Sequence, residues 1–213
     1  MDGQKKRIVV LVSGGGSNLQ AIIDRVWDGA IPNAEIACVI SSKPDAYALT
    51  RAEQAGIKGV VVSAADYPNQ EDRTKALLDA LRAAQPDLIV LAGYMRVLEP
   101  AVIEQYAGRI INIHPSLIPK YCGKGFYGER VHQAVLAGGE TVSGATVHFV
   151  DEGIDTGDII LQRQVPVEEG DDAASLAARV LTVEHQILPE AIRIIFEKST
   201  RLEGEKKILK NER

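Results

Sequence analysis

Short β-branched runs and longer amphipathic segments alternate along the first half of the chain. Residues 7–13 (RIVVLVS) form an apolar run long enough for a buried strand. After a glycine-rich stretch at 14–18, Leu19, Ile22, Ile23 and Val26 recur at helical spacing. The pattern then predicts a strand at 34–41, a helix at 46–55 closed by Gly56, and a short strand at 59–62. A helix at 70–84 carries Ala76, Leu77, Ala80 and Leu81 on one face, and Pro86 ends it. A strand at 88–92 (LIVLA), a short helix from Pro100 to Tyr106 and a strand at 109–114 complete this series.

Strands alternating with helices imply a parallel sheet covered on both faces. The rhythm changes after residue 114. Residues 144–150 (GATVHFV) and 158–167 (DIILQRQVPV) read as strands with no long helix between them, which predicts antiparallel pairing. A long helix over about 173–197 follows, with Pro189 as a candidate kink. The tail mixes both charge signs and reads as a solvated segment with a short strand at KKIL. The expected fold class is α/β: a Rossmann-like, mostly parallel sheet with helices on both faces and a β-rich C-terminal extension of the same sheet. One domain is expected, with halves at about 1–108 and 109–200 and a tail at 201–213.

Composition narrows the function classes. With 213 residues, 46% of them hydrophobic, the chain can bury a core without covalent staples. Cys38 and Cys122 form no C-x-x-C pair, which argues against a zinc ribbon or a disulfide framework. His132, His148 and His185 are scattered and no H-x-x-x-H or H-E-x-x-H spacing occurs, so no metal is expected. A net charge of -5 argues against general nucleic-acid binding. The apolar run after MDGQKKR is too short for a signal-peptide core, and no segment is long enough to span a bilayer. A cytosolic location is therefore expected.

Ligands of open α/β sheets sit beyond the carboxyl ends of the strands, and three polar stretches fall there. SGGGSN, residues 13–18, follows a strand and opens a helix, where backbone N–H groups can bind an anion. It lacks the Gly-Lys-Ser/Thr of a P-loop. Leu19 stands where a dinucleotide fingerprint needs a third glycine, and the next strand ends in Ser41, Ser42 and Lys43. The alternative is a tight turn with Ser17 as N-cap. In GRIINIHP, strand alternation puts Ile110, Asn112 and His114 on one face, and Pro115 ends the strand. An Asn amide can hold a developing oxyanion, and a His can move a proton near neutral pH. Spacing alone leaves a second reading equally open, a capped strand whose Asn and His satisfy loop backbone. Ser116 is a nucleophile candidate by proximity only. VDEGIDTGDII, residues 150–160, crowds Asp151, Glu152, Asp155 and Asp158 between two turns. One of these acids could orient His114, while the rest read as a solvated loop. His148 reads as a buried, bonded histidine.

Together these segments resemble the glycinamide ribonucleotide transformylase (phosphoribosylglycinamide formyltransferase) family, folate-dependent enzymes of purine synthesis. The resemblance rests on VVLVSGGGSNLQAII, SSKPDAYALTRAEQAGI, LAGYMRVLEP, INIHPSLIPKY, VSGATVHFVDEGIDTGDIILQ and TVEHQILP, in family order, from Ile8 to about Pro189. It implies a single formyltransferase domain whose second half binds folate and carries the catalytic groups. It implies formyl transfer from 10-formyltetrahydrofolate, a co-substrate, to the primary amine of glycinamide ribonucleotide. The family's catalytic Asn, His and Asp fall on Asn112, His114 and Asp155. Its phosphate and ribose contacts fall on Gly16, Ser17, Asn18 and Glu184. Its folate pocket falls on Met95, Arg96, Leu98 and Val102, with Asp151, Glu152, Gly153 and Ile154 closing over the pterin. A cis bond at Ile118-Pro119 is also implied.

One segment departs: CGKGFYGERVHQ is a few residues longer than in many members, and His132 is its only histidine. The role of an extra family histidine is therefore not carried over. In the implied reaction the substrate amine is the nucleophile, so the enzyme need not supply one. Asn112 would donate to the oxyanion, a protonated His114 would add charge, and Asp155 would hold His114 and raise its pKa. Two small-molecule partners are expected, with no nucleic acid and no membrane, and a monomer or homodimer. A sister hydrolase would use the same groups with water as nucleophile. Its relatives carry an N-terminal regulatory domain, for which a first strand at about residue 7 leaves no room. A methionyl-tRNA formyltransferase would need an RNA-binding domain and a basic surface. A non-catalytic nucleotide-binding module would not need Asn112, His114 and Asp155 together.

Overall fold

The computed structural model describes the backbone of residues 5–211 and the side chains as far as residue 200. Its strands are β1 (Lys6–Val12), β2 (Ala34–Ser41), β3 (Gly59–Val61), β4 (Leu88–Leu91), β5 (Ile110–His114), β6 (Val142–Phe149) and β7 (Ile159–Pro166). Its helices are α1 (Ser17–Trp27), α2 (Tyr47–Gln54), α3 (Gln70–Ala84), α4 (Pro100–Gln105), α5 (Glu129–Ala137) and α6 (Ala173–Asn211). The strands form one sheet in the order β3-β2-β1-β4-β5-β6-β7. β1 to β5 pair in parallel, and β6 and β7 add antiparallel.

Strand alternation divides the core in two. Ile8, Val10 and Val12 of β1 face one way, onto Leu19, Ile22 and Ile23 of α1 and Leu176, Val180 and Ile187 of α6. Val9 and Leu11 face the other way, onto Leu77 and Leu81 of α3 and Val102 and Ile103 of α4. Burial on both faces explains why β1 reads as a continuous apolar run rather than an alternating one. Truncating Leu11, which is wholly buried, to Ala would cost about 2–5 kcal/mol.

Local signals set the helix ends. Asn69 accepts from the Glu71 N–H at 2.9 Å to open α3, and Gln85 closes it in the left-handed region just before Pro86. α1 begins differently from expectation. Gly16, not Ser17, is its N-cap, at φ 72°, and Ser17 is its first helical residue. A glycine is required there, because a Cβ on Gly16 would collide with Ala48 of α2.

Two further corrections concern the second half. α5 was not anticipated. Its apolar signal, Val131, Val135 and Leu136, is short and is interrupted by the buried His132. α6 is far longer than 173–197, so the expected strand at KKIL lies inside a helix that also runs through Pro189. The Glu-, Lys- and Leu-rich tail is made of good helix formers, and the helix continues through it. Beyond β5 the chain is thus two strands flanked by the helices α5 and α6 rather than a β-rich extension.

β1 connects outward to β2 and β3 on one side, while β4 and β5 lie on its other side. The strand order therefore reverses between β1 and β4, which opens a crevice at their carboxyl ends. The loops after β1 and β4 and the end of β5 meet at that crevice.

Candidate active site

Ile111 and Ile113 of β5 point into the α1–α6 core, and Ile110 points into the α3–α4 core. Asn112 and His114 share the face of Ile110, as alternation predicts. The β6–β7 connection folds back over these two positions and brings Asp155 onto them. Asp155 Oδ2 lies 3.6 Å from His114 Nδ1, and Asp155 Oδ1 accepts from Asn112 Nδ2 at 3.4 Å. The expected trio therefore converges. Asp155 reaches it through a left-handed backbone, φ 58°.

Partners on the backbone decide the protons. His114 Nε2 is 2.9 Å from the Tyr121 carbonyl oxygen, which can only accept, so Nε2 carries the proton and Nδ1 faces Asp155. Burial pushes the His114 pKa below its ordinary value. The Asp155 charge and the Tyr121 hydrogen bond oppose that shift without reversing it. Burial therefore acts against the protonated His114 that the resemblance implied, only 5% of this residue being exposed. For Asp155, burial acts to raise the pKa but is outweighed. Contact with His148, the charge available on His114 and the Gly123 N–H at 2.9 Å hold it below the usual carboxylate range.

His148 belongs to the same cluster, although the sequence reading left it in the core. Antiparallel register sets it directly beside Asn112. Its Nδ1 donates to the Phe149 carbonyl at 2.7 Å, and its Nε2 lies 3.2 Å from Asn112 Nδ2 and 3.5 Å from Asp155 Oδ1. A signal was present: Thr146 and His148 repeat, in a second buried strand, the polar pair at spacing two seen in β5. Ser116 is excluded as a nucleophile. It is fully buried, and its hydroxyl donates to the Lys120 carbonyl at 2.7 Å.

The glycine loop lies one crevice wall away. Its carbonyls turn toward α2, where Gly14 O accepts from Ala48 N at 3.0 Å and Gly15 O from Arg51 Nε at 2.9 Å. The start of α1 leaves its first N–H groups without helical acceptors, the arrangement that suits a phosphate. Asn18 and Glu184 come together here, with Asn18 Nδ2 donating to Glu184 Oε2 at 2.6 Å. Burial raises the Glu184 pKa, and the Asn18 bond offsets part of this. Asn18 Oδ1 is buried without a partner, a vacant acceptor beside the loop.

The residues expected to meet folate lie in the loop after β4 and in α4. Met95, Arg96, Leu98 and Val102 line one cavity of about 280 Å³ together with Arg73 and Tyr94. Asn112, His114 and Asp155 are not in that lining, nor are Asp151, Glu152, Gly153 and Ile154. Those four are exposed, in a turn where Asp151 Oδ1 accepts from Gly153 N at 3.0 Å and from Thr156 Oγ1 at 2.6 Å. Met95 and Ile154, 57% and 40% exposed, leave apolar surface on both loops. A link between the loops went unnoticed in the sequence. The Met95 N–H donates to Ser13 Oγ at 2.9 Å, and Ser13 Oγ is 2.6 Å from Ser42 Oγ. Only the fold brings the ends of β1, β2 and β4 together, so nothing local marked Ser13. Ile118-Pro119 is cis, as the family resemblance implied. Among the described residues, no three His, Cys, Asp or Glu side chains are grouped to hold a metal ion, and no helix is long and apolar enough to cross a membrane.

Comparison with known proteins identifies the family. The formyl transferase family model matches residues 6–192. The phosphoribosylglycinamide formyltransferase of Haemophilus influenzae is 46% identical over 92% of this chain and 90% of its own length. The trifunctional purine biosynthetic protein adenosine-3 of Drosophila melanogaster is 47% identical over 90% of this chain, which spans 14% of that much longer relative. The crystal structure of glycinamide ribonucleotide transformylase 1 from Symbiobacterium toebii superposes with a TM-score of 0.86 at 45% identity, covering 92% of this chain and 90% of that one. The chain belongs to the formyl transferase family, and within it to the phosphoribosylglycinamide formyltransferases.

Proposed function

We propose that the chain transfers a formyl group from 10-formyltetrahydrofolate to the primary amine of glycinamide ribonucleotide. The observation that carries this reading is the approach of Asp155 to both partners at the carboxyl end of β5, 3.4 Å from Asn112 Nδ2 and 3.6 Å from His114 Nδ1. The phosphate and ribose of the nucleotide are assigned to Gly16, Ser17, Asn18 and Glu184. The folate is assigned to Met95, Arg96, Leu98 and Val102, with 151–154 as the facing loop. Exposed apolar side chains on both loops suit a flat, partly apolar heterocycle beside a polar centre.

The amine nitrogen attacks the formyl carbon, and the C=O electrons move onto oxygen. Asn112 Nδ2 has one hydrogen directed at His148; the second makes only the long contact to Asp155 and turns to the oxyanion. The neutral His114, with Nδ1 toward Asp155, takes the amine proton as the C–N bond forms. The resulting imidazolium lies against a carboxylate and beside the new oxyanion, so positive charge arises when it is needed. Collapse of the intermediate breaks the bond from carbon to folate N10. The proton returns to that nitrogen, giving tetrahydrofolate and the formylated nucleotide.

A hydrolase reading uses the same groups with water. One assay separates them: 10-formyltetrahydrofolate is supplied with and without glycinamide ribonucleotide, and folate release is followed. Release that depends on the nucleotide supports the transferase. Equal release without it refutes the transferase. Asn112→Ala is expected to lower kcat about 100- to 1000-fold while nucleotide binding stays measurable; near-normal turnover would remove Asn112 from the mechanism.

A further inference from the structure

The turn after Pro119, where the chain enters the segment that departs from the family pattern, makes two contacts to the catalytic cluster, both through its backbone. The Tyr121 carbonyl accepts from His114 Nε2 at 2.9 Å, and the Gly123 N–H donates to Asp155 Oδ2 at 2.9 Å. Residues 121–123 thus hold the imidazole and the carboxylate at once. A backbone group can orient a side chain only as firmly as the backbone itself is held. Tyr121 adopts φ 54°, a left-handed conformation that a non-glycine residue keeps only where its surroundings enforce it.

The enforcement comes from the Tyr121 side chain. Its hydroxyl donates to Glu140 Oε1 at 3.0 Å. Glu140 is held in turn by Lys120 Nζ, at 2.9 and 3.1 Å to its two oxygens. The Tyr121 ring meets Phe126 edge-on, with centroids 6.1 Å apart. The hydroxyl end rests against Gly138, where a Cβ would overlap it. None of these residues touches the reacting groups with its side chain.

We propose that Tyr121 and Glu140 are positioning residues of the active site, which lock the 121–123 backbone so that His114 keeps its proton on Nε2 and presents Nδ1 to Asp155. Gly138 provides the space the Tyr121 hydroxyl needs to reach Glu140. The inference rests on the reading of His114 and Asp155 as the reacting pair, and it assigns a task to side chains outside that pair.

The test uses the full chain with Tyr121→Phe, Glu140→Ala, Glu140→Gln and the Tyr121→Phe/Glu140→Ala double variant. Tyr121→Phe and Glu140→Ala are each expected to lower kcat about tenfold, with KM for both substrates within about twofold, because orientation rather than binding is lost. The double variant is expected to be no worse than either single variant, since both changes break one contact. Glu140→Gln keeps an acceptor for the hydroxyl and is expected to restore kcat. Nitrogen-15 NMR of the His114 ring is expected to show the Nε2-protonated form in the wild type and Glu140→Gln, and a tautomer mixture in Tyr121→Phe. Additive losses, or an unchanged tautomer in Tyr121→Phe, would overturn the proposal. A wild type inactive toward both substrates would instead refute the proposed reaction, and the tautomer measurement would still decide the role of Tyr121. Should Tyr121→Phe fold poorly, Gly138→Ala, which pushes the hydroxyl off Glu140 from the other side, serves the same comparison.

Discussion

Replacing Asp155 by Asn removes one negative charge at the point where four polar groups of the site meet. The backbone there has φ 58°, a region Asn enters more readily than most residues. Ala would add backbone strain of roughly 1–2 kcal/mol and blur the result. Asn also keeps an oxygen for the Gly123 N–H. What is lost is a charge 3.6 Å from His114 Nδ1. At an effective dielectric constant of about 20, opposite unit charges at that separation attract by about 4–5 kcal/mol. Water entering the site discounts this to about 3–4 kcal/mol, which corresponds to a kcat fall of roughly 100- to 1000-fold. Nucleotide KM is expected to stay unchanged, since Asp155 is remote from Gly16 and Glu184 in the proposed binding scheme.

The same variant has a second, independent readout. Burial holds His114 below the ordinary histidine value of 6.5, and the Asp155 charge works against that shift. Turnover requires the neutral ring, so it falls as pH drops through the His114 pKa, below about 6.5. Removing the Asp155 charge lowers that pKa further, so the acid limb of the kcat profile is expected to move to lower pH. The assay is the initial rate of tetrahydrofolate formation over about pH 5–8. Turnover within about tenfold of the wild type, or an acid limb moved to higher pH, would refute the reasoning.

Ser13→Ala takes the acceptor from the Met95 N–H and leaves Ser42 without its 2.6 Å partner, both serines being buried. KM for the folate is expected to rise about fivefold, the equivalent of one hydrogen bond, and an unchanged KM would dissociate the two loops. Gly16→Ala forces a Cβ onto Ala48 at φ 72°. A higher nucleotide KM and a stability loss of about 1–2 kcal/mol are expected, measured by initial rates and thermal melting. Burial also lowers the His132 pKa, with the charge of His114 adding to the effect. The unfolded chain then binds more protons as pH falls below about 6.5, and stability is lost down through the folded pKa. His132→Gln is expected to narrow the gap in Tm between about pH 7 and pH 5, and an unchanged gap would place the acid sensitivity elsewhere.

The elements that were legible in the sequence are those whose burial is set by one dominant face or two. β2 and α3 have the boundaries their patterns predict, because a mostly apolar run and a capped amphipathic stretch leave little choice. α5 was missed for the opposite reason. Of its three buried residues, Val131, His132 and Val135, one is polar, and the segment before it has no periodicity. The extent of α6 was underestimated because its later residues carry mixed charge, which suits a solvated helix as well as a solvated coil. His148 and Ser13 were out of reach for a different reason. Their significance lies in strand register and in which strand ends meet, and neither has a local signature.

For Asn112 and His114, spacing left two readings open, a catalytic pair or a strand whose polar residues satisfy loop backbone. The geometry makes these one arrangement. A strand face covered by loops meets backbone N–H and C=O groups that need partners. His114 gives Nε2 to the Tyr121 carbonyl, His148 gives Nδ1 to the Phe149 carbonyl, and Asp155 gives Oδ2 to the Gly123 N–H. Each of these side chains also turns a polar atom to the shared centre: His148 Nε2 and Asp155 Oδ1 face Asn112, and His114 Nδ1 faces Asp155 Oδ2, the oxygen that also takes the Gly123 N–H. The backbone bond on one side fixes the orientation, and for the rings the proton, on the other. Satisfying the covering loops is therefore what aims these groups at a substrate, so a substitution that loosens those loops is expected to act on kcat before it acts on binding.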